Sequence, residues 1–178
     1  MGLGIKTKIR ALLGIDGESI NQLRRRGVKI GDNCQLYSND IDYGHGYLIE
    51  IGNNCTITHS TILTHDASTK LVTGYSKVGR IKIGDNVFIG HGSVILPNVK
   101  IGNNVVIGCN TVVRRDIPDN CVVSGNPAVI ICSIEEFTQK HKANMEKYPV
   151  YNTYWADKTE EEKLKQIEEL DGRMGYDI

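Results

Sequence analysis

The side chains best suited to chemistry in this 178-residue chain are its histidines and cysteines. The five histidines are His45, His59, His65, His91 and His141. An imidazole changes its charge near neutral pH, so it can act as a general base without a large pKa shift. No Ser-His-Asp or Cys-His set is discernible that would favour covalent catalysis by a nucleophilic side chain. The five cysteines contain no CxxC pair, which argues against a zinc ribbon and a disulfide framework.

Among the histidines, His65 stands out by its position. It lies in the segment Thr64-His65-Asp66, directly before a stretch at about residues 66–79 that interrupts an otherwise regular pattern. A loop of that length without its own hydrophobic pattern is usually functional or disordered. His65 is therefore the candidate general base, and a solvent-exposed or structural histidine is the alternative.

The interrupted pattern is a repeat of eighteen residues built from steps of six. Ile-Gly-Asp/Asn-Asn occurs four times, beginning at Ile30, Ile51, Ile83 and Ile101. The last two starts are one repeat unit apart, whereas the first interval is three positions longer than a unit and the second is fourteen positions longer. The chain thus carries one small and one large insertion. The aliphatic residues at steps of six are Ile30, Leu36, Ile51, Ile57, Leu63, Ile83, Ile89, Ile95, Ile101, Ile107 and Val113.

A step of six fits neither the helical period nor an ordinary alternating strand. It fits a short strand followed by a turn, with every sixth side chain pointing to one axis and three sides closing one coil. Successive coils then stack as parallel strands about 4.8 Å apart. Gly and Asn belong at the corners, because they tolerate positive φ. The sequence thus predicts an all-β parallel β-helix with helical flanks, and a β-sandwich is the weaker alternative.

These residues resemble the hexapeptide-repeat acyltransferases, whose pattern is aliphatic-Gly-x-x-small-x. The match covers about residues 28–131 and is strongest at 107–118 and 125–128. The resemblance implies a left-handed β-helix that assembles into homotrimers, similar to maltose, galactoside and polysaccharide O-acetyltransferases. It also implies transfer of an acetyl group from acetyl-CoA to a hydroxyl of a sugar or polysaccharide precursor, with no metal.

The flanks complete the predicted domain organisation. We predict an N-terminal helical segment at 1–27, a catalytic β-helix at 28–131 with a loop insertion at 66–79, and a C-terminal helical tail at 132–178. Capping boxes at Ser133 and Thr159 predict the starts of two tail helices.

The resemblance assigns roles to individual residues. His65 matches the family's catalytic base. The corner at Gly90 and His91 matches backbone that faces the base of an adjacent subunit, where amides can stabilise an oxyanion. The positions implied to bind coenzyme A are Gly90, Gly108, Cys109, Arg114, Arg115, Asn126 and Pro127. The family's Lys or Arg after Gly-Asn-Pro-Ala is replaced here by Val-Ile-Ile-Cys, so Arg114, Arg115 or tail lysines such as Lys140 must meet the phosphates.

Acceptor-binding residues are expected in the smaller insertion, between Leu36 and Ile51. It carries Asn39, Asp40 and Asp42. A carboxylate near the base can hold a sugar hydroxyl or orient the imidazole. Ordinary surface-turn residues are the alternative.

Two other functions stay open at this point. A zinc enzyme like the γ-class carbonic anhydrases could use His59 and His91, stacked on adjacent coils, with His65 from another subunit. That family's own pair of histidines, separated by four residues in the later coils, is missing. A non-catalytic trimeric scaffold is the second alternative, and it leaves the loop after His65 unexplained.

Charge and hydropathy limit the partners and the cellular location that we expect for this protein. The 21 basic and 21 acidic residues give a formal net charge of zero, which argues against a nucleic-acid binder. No run approaches the length of a membrane span, and no apolar segment near the start resembles a signal peptide. We expect a reduced, cytoplasmic protein without a membrane span.

Overall fold

The computed structural model describes residues 19–37 and 39–178. The chain forms two compact units, which divide between Ile134 and Glu135. Most of the predicted helical segment 1–27 lies outside the described residues. Within them, helix α1 spans Ile20–Arg25 and begins at a capping box formed by Ser19 and Gln22.

Three sheets form the sides of the first unit. The first contains β1 (Lys29–Ile30), β4 (Ile49–Ile51), β9 (Ile81–Ile83) and β12 (Val99–Ile101). The second contains β2 (Gln35–Tyr37), β5 (Thr56–Thr58), β10 (Val87–Ile89), β13 (Val105–Ile107), β15 (Cys121–Ser124) and β16 (Val129–Ser133). The third contains β3 (Asp40–Ile41), β6 (Thr61–Ile62), β11 (Val94–Ile95) and β14 (Val112–Val113). Within the described residues, the chain adds strands to these three sheets in turn. The strands pair in parallel, except for β16, which pairs antiparallel with β15. The three sheets therefore form a parallel β-helix.

The strand registers show how the insertions are accommodated. Val87 pairs with Val105, which lies one repeat unit later in the sequence. Ile30 pairs with Ile51 across the smaller insertion, and Ile51 pairs with Ile83 across the larger one. Both insertions therefore lie outside the ladders, and the strands on either side stay in register.

The side chains at the six-residue steps pack along the axis of the coil. The buried members of the predicted set are Ile30, Ile51, Ile57, Ile83, Ile89, Ile95, Ile101, Ile107 and Val113. Leu36 is partly buried against them. Burying aliphatic side chains of this size stabilises the fold by about 1.5–3 kcal/mol each, which makes this column the main source of stability.

One predicted member of the column is wrong. Leu63 is only half-buried, and Ile62 takes its place and pairs with Ile95. The corner before Ile62 is one residue shorter than its counterpart in the next coil. This is because His59 itself adopts positive φ, at 43°, where the next coil uses Gly92 with φ of 74°.

The predicted corners with positive φ are confirmed. Asn33, Asn54, Asn86 and Asn104 have φ between 53° and 56°. Their side chains form a ladder along one edge, in which each Nδ2 donates to the Oδ1 of the next asparagine at 2.8–3.3 Å and the last partner is Asn120. Each corner is thus held both by its own backbone and by the coils on either side.

The larger insertion leaves the coil as a hairpin. Its elements are β7 (His65–Asp66), a 3-10 helix (Ala67–Thr69), α2 (Lys70–Thr73) and β8 (Lys77–Val78), with β7 and β8 antiparallel. Gly79 N donates to Thr64 O at 2.8 Å and closes the base of the hairpin. Lys77 Nζ and Asp66 Oδ2 lie 2.9 Å apart, and this contact lowers the pKa of Asp66. The insertion is therefore an ordered excursion anchored next to His65.

The second unit contains helices and one small sheet. Its elements are α3 (Ile134–Met145), β17 (Val150–Tyr151), α4 (Glu160–Glu169) and β18 (Tyr176–Asp177), with β17 and β18 parallel. The predicted capping box at Thr159 is confirmed, since Thr159 and Glu162 exchange both hydrogen bonds. None of the described helices has both the length and the apolar character that a membrane span requires.

Candidate active site

His65 and Asp42 form a hydrogen-bonded pair at the corner that follows the third sheet. The distance between His65 Nδ1 and Asp42 Oδ2 is 2.5 Å. The His65 side chain is 40% exposed, whereas that of Asp42 is fully buried. A carboxylate on Nδ1 fixes the tautomer and leaves Nε2 as the nitrogen that can accept a proton. The pair therefore has the arrangement of a general base and its orienting carboxylate.

Strand pairing brings these two residues together. Asp42 follows β3 and His65 comes shortly after β6, and Ile41 pairs with Ile62 across the two strands. Asp42 N continues the ladder by donating to Ile62 O at 3.0 Å. Both insertions in the repeat begin at this corner, so the departures from regularity in the sequence mark one place in the fold.

Both oxygens of the Asp42 carboxylate accept hydrogen bonds from neighbouring groups. Oδ2 accepts from Thr64 N at 3.1 Å and from Thr64 Oγ1 at 2.6 Å, in addition to His65. Oδ1 accepts from Gly44 N at 3.0 Å and from His45 N at 3.4 Å. Burial alone raises the pKa of Asp42, but the hydrogen bonds from Thr64 and His65 outweigh burial and hold that pKa well below its usual range. Asp42 is therefore ionised at neutral pH.

The three predicted acceptor-binding residues have different environments. Asn39 joins two coils, because its Oδ1 accepts from Ser60 N at 2.9 Å and its Nδ2 donates to Ile57 O at 3.0 Å. Asp40 is exposed on β3. Asp42 is buried and hydrogen-bonded to His65, and these contacts favour the alternative in which it orients the imidazole over the one in which it holds a sugar hydroxyl.

The predicted oxyanion corner lies away from His65 in the same chain. Gly90 and His91 come before β11, whereas His65 comes after β6. Because β6 and β11 are parallel neighbours, these residues lie at opposite edges of the third sheet. One copy of the chain does not bring the corner to the base, so a site that contains both needs a second copy.

The amides of this corner are not equivalent. Gly90 N already donates to Ile107 O at 2.8 Å, and Gly92 N donates to His59 O at 3.0 Å. Across residues 19–37 and 39–178, the amide of His91 has no acceptor. Of the two residues predicted at this corner, His91 is therefore the one whose amide can serve as an oxyanion donor. Gly90 is needed for stacking instead, because a Cβ there would lie 2.7 Å from Cys109 N.

His59 and His91 are neighbours on adjacent coils, as predicted. Their ring centroids are 4.9 Å apart, with both side chains exposed. In the same chain they lie at the sheet edge opposite His65. The two histidines are thus as close together as the zinc-enzyme alternative requires. His65, the third histidine of that alternative, does not lie next to them in the same chain.

The residues predicted to bind coenzyme A fall into three groups. Arg114, Arg115 and Pro127 line one cavity of about 310 Å³, together with Asp116, Ile117, Pro118, Ala128, Val129 and Ile130. Gly90 and Gly108 belong to the coil ladder, where Gly108 N donates to Val123 O at 2.8 Å. Cys109 and Asn126 are exposed. Both arginines therefore line the same cavity as Pro127, whereas Gly90 and Gly108 allow adjacent coils to stack closely.

Two residues of this site carry no role in the sequence analysis. Thr64 is fully buried and donates twice to Asp42. The ring centroid of His45 lies 5.3 Å from that of His65. Their positions in the sequence were a usable signal, because Thr64 precedes the base directly and His45 belongs to the same insertion as Asp42.

Comparison with known proteins places this architecture in a family. Residues 80–115 match the family described as bacterial transferase hexapeptide (six repeats). Protein CapG of Staphylococcus aureus is 46% identical over 129 residues, which cover 68% of this chain and 75% of CapG. The chain belongs to the hexapeptide-repeat acetyltransferase family. As a member of this family, it is an acetyltransferase.

Other hexapeptide-repeat acetyltransferases are similar over shorter parts. The galactoside O-acetyltransferase of Lactococcus lactis is 33% identical over 104 residues, which cover 58% of this chain and 49% of that protein. The crystal structure of a maltose O-acetyltransferase from Clostridium difficile 630 has a TM-score of 0.50 and 32% identity, covering 64% of this chain and 73% of that one. The likeness favours the acetyltransferase over the zinc-enzyme and scaffold alternatives, and it implies a left-handed β-helix.

Proposed function

We propose that this protein transfers an acetyl group from acetyl-CoA to a hydroxyl of a sugar or polysaccharide precursor, with His65 as the general base. The observation that carries the proposal is the hydrogen bond between half-exposed His65 and buried, ionised Asp42. A sugar acceptor is supported by the names of two similar proteins, a galactoside and a maltose O-acetyltransferase. We also place the protein in the cytoplasm, where acetyl-CoA and activated sugars are available.

The proposed reaction is a direct attack by the acceptor. His65 Nε2 takes the hydroxyl proton while the oxygen attacks the thioester carbonyl, forming the new C–O bond. The tetrahedral intermediate then expels the sulfur, the C–S bond breaks, and the imidazolium returns its proton to the CoA thiolate. Asp42 stays ionised and stabilises the imidazolium between these steps.

The oxyanion of the intermediate needs a donor that is not already used. The amide of His91 meets that condition, and we propose that it comes from a neighbouring copy of the chain, because in one chain it lies at the sheet edge opposite His65. We therefore propose a left-handed β-helix with coils of about eighteen residues, assembled as a homotrimer with sites between subunits. Asn39 and Asp40 remain candidates for acceptor contact beside this site.

Assembly provides a direct prediction. We expect light scattering to give about three times the 19.7 kDa chain mass, because each base depends on the oxyanion corner of a neighbour. Specific activity should fall on dilution below the concentration at which the trimer dissociates. A stable monomer with full activity would contradict the shared site.

The cavity next to the Pro127 turn supplies a second prediction. Arg114 and Arg115 line it, and guanidinium groups suit the phosphates of coenzyme A. The double variant Arg114→Ala/Arg115→Ala should weaken CoA binding by about 10-fold or more, since a hydrogen bond to a charged group contributes about 1.5–3 kcal/mol. The measurement is the rise in melting temperature on adding CoA, which should shrink in the double variant.

Two further variants make this measurement specific. Lys165→Ala removes an exposed cation of α4 and should keep the wild-type response to CoA. Lys140→Ala tests the tail as an alternative phosphate contact. An unchanged CoA affinity in the double arginine variant would reject the cavity as the phosphate site.

The acceptor class can be tested by thiol release. Acetyl-CoA is incubated with a panel of sugars, and release of free CoA is followed with each. We expect acceptor-dependent release together with a product that is heavier by one acetyl group and labile to mild base, as an ester is. Release with amines alone, giving base-stable amides, would contradict O-acetylation.

A further inference from the structure

We propose that Asp42, His45 and His65 together form a site for a divalent cation of the zinc class, and that its occupation blocks the base. One ligand atom from each residue can be chosen so that all three lie within 4.8 Å of one another. The blocking effect rests on the proposed function, whereas cation binding does not.

His45 is the residue that the proposed mechanism leaves unused. Its Nδ1 is buried and has no hydrogen-bond partner in the part of the chain that the structure describes. That atom lies 3.8 Å from Asp42 Oδ1, and the side chain is 34% exposed. A buried polar atom in a native protein usually has a partner, so an unpaired nitrogen facing a carboxylate needs an explanation. A cation between the nitrogen and the carboxylate supplies one.

The chemistry of the three groups suits zinc. Two imidazoles and one carboxylate, with a position left open, are a common ligand set for Zn²⁺ and for Co²⁺. Zinc–ligand distances of about 2.0–2.2 Å in a tetrahedral site place neighbouring donor atoms about 3.3–3.6 Å apart. His65 Nδ1 lies 2.5 Å from Asp42 Oδ2, and His45 Nδ1 lies 3.8 Å from Asp42 Oδ1. Both imidazoles are partly exposed, so rotation of these two rings is the movement that cation binding requires.

The carboxylate is already held in place for this role. Thr64 and the amides of Gly44 and His45 fix Asp42 from the protein side, so that only the two rings have to move. The site is thus largely preorganised in the free protein.

Cation binding prevents proton transfer by changing the tautomer of the base. In the free protein, the carboxylate on Nδ1 leaves Nε2 of His65 open to accept a proton. A neutral imidazole that gives its Nδ1 lone pair to a metal carries its proton on Nε2. His65 then cannot act as a base, although its ring remains in place. Zinc should therefore inhibit transfer without preventing binding of acetyl-CoA.

The test titrates Zn²⁺ alone into the whole protein, with Co²⁺ as the spectroscopic probe. We expect one cation per chain, visible Co²⁺ absorption typical of four-coordinate nitrogen and oxygen ligands, and inhibition that EDTA reverses. His45→Gln should bind Zn²⁺ at least about 10-fold more weakly, since one of three ligands is lost, and should keep the uninhibited activity. His59→Gln is the matched control, because it alters the other close pair of histidines and should change neither binding nor inhibition.

Each alternative result is decisive. Zinc binding that His45→Gln does not weaken, or that His59→Gln abolishes, would place the cation elsewhere and overturn the site. Binding at Asp42, His45 and His65 without inhibition would overturn the blocking role. If no acceptor supports acetyl transfer at all, the proposed function fails, and the Co²⁺ spectrum of the wild type and of His45→Gln still decides the site.

Discussion

Replacing His65 by alanine is expected to lower kcat by about 10²- to 10⁴-fold, which is the usual contribution of a general base. The KM for acetyl-CoA and the response of the melting temperature to CoA should stay near wild type, because His65 contacts neither the arginine cavity nor the buried column. The side chain is 40% exposed, so its loss leaves no large cavity. The measurement is steady-state thiol release with a sugar acceptor.

Two controls accompany this variant. His59→Ala should lose much less activity, since His59 lies at the opposite edge of the third sheet. The wild-type rate should also fall on acidification, because a protonated imidazole cannot take the acceptor's proton. If His65→Ala keeps more than about a tenth of the wild-type kcat, His65 is not the base.

The second large effect is expected for Asp42→Asn. An asparagine nitrogen placed at Oδ2 would face the donors of Thr64, and an asparagine oxygen there would still remove the charge that stabilises the imidazolium. Loss of the orienting carboxylate should lower kcat by about 10²- to 10⁴-fold. Leaving buried donors poorly satisfied should also reduce the free energy of unfolding by about 1–3 kcal/mol.

The pH dependence of this loss has a definite sign. Hydrogen bonds hold the pKa of Asp42 below its unfolded value, which is about 3.9 for an ordinary aspartate. Such a group adds stability above the unfolded pKa, and the addition is lost as pH falls below it. The difference in melting temperature between wild type and Asp42→Asn should therefore be full at pH 6–7 and should shrink below about pH 4.

Asp40→Asn is the matched control for these measurements. Asp40 lies two residues earlier and is exposed on the same strand. It should change neither the free energy of unfolding nor the tautomer of His65. Because Asp40 is a candidate acceptor contact, an effect on the KM for the acceptor is compatible with its use as a control. Equal losses of stability and of kcat in the two variants would show that Asp42 has no special relation to the base.

Much of the coil was predictable because its determinants are local. An aliphatic residue every six positions has to be buried, and Ile57 and Ile89 show this directly. The failure at Leu63 has an equally local cause. A histidine is an uncommon residue at positive φ, so the shorter corner at His59 could not be read from the spacing.

The candidate site was predictable only in outline. The two insertions in the repeat identified the site, because His65 directly precedes the larger insertion and Asp42 lies in the smaller one. Periodicity does not show which backbone amide the neighbouring coil uses, so Gly90 and His91 could not be separated before the structure. The pairing of β17 with β18 likewise joins segments far apart in sequence, which local capping signals do not report.

The hairpin at residues 66–79 and the turn after Asp42 leave the coil without changing the register of the strands on either side. Ile51 pairs with Ile83 in the same way that Val87 pairs with Val105, although the whole hairpin separates the first pair. Each coil closes through its own corner and its own axial side chains, so extra chain at one corner strains no neighbouring coil. A change in the length of the hairpin is consequently expected to leave the pairing of Ile51 with Ile83 intact.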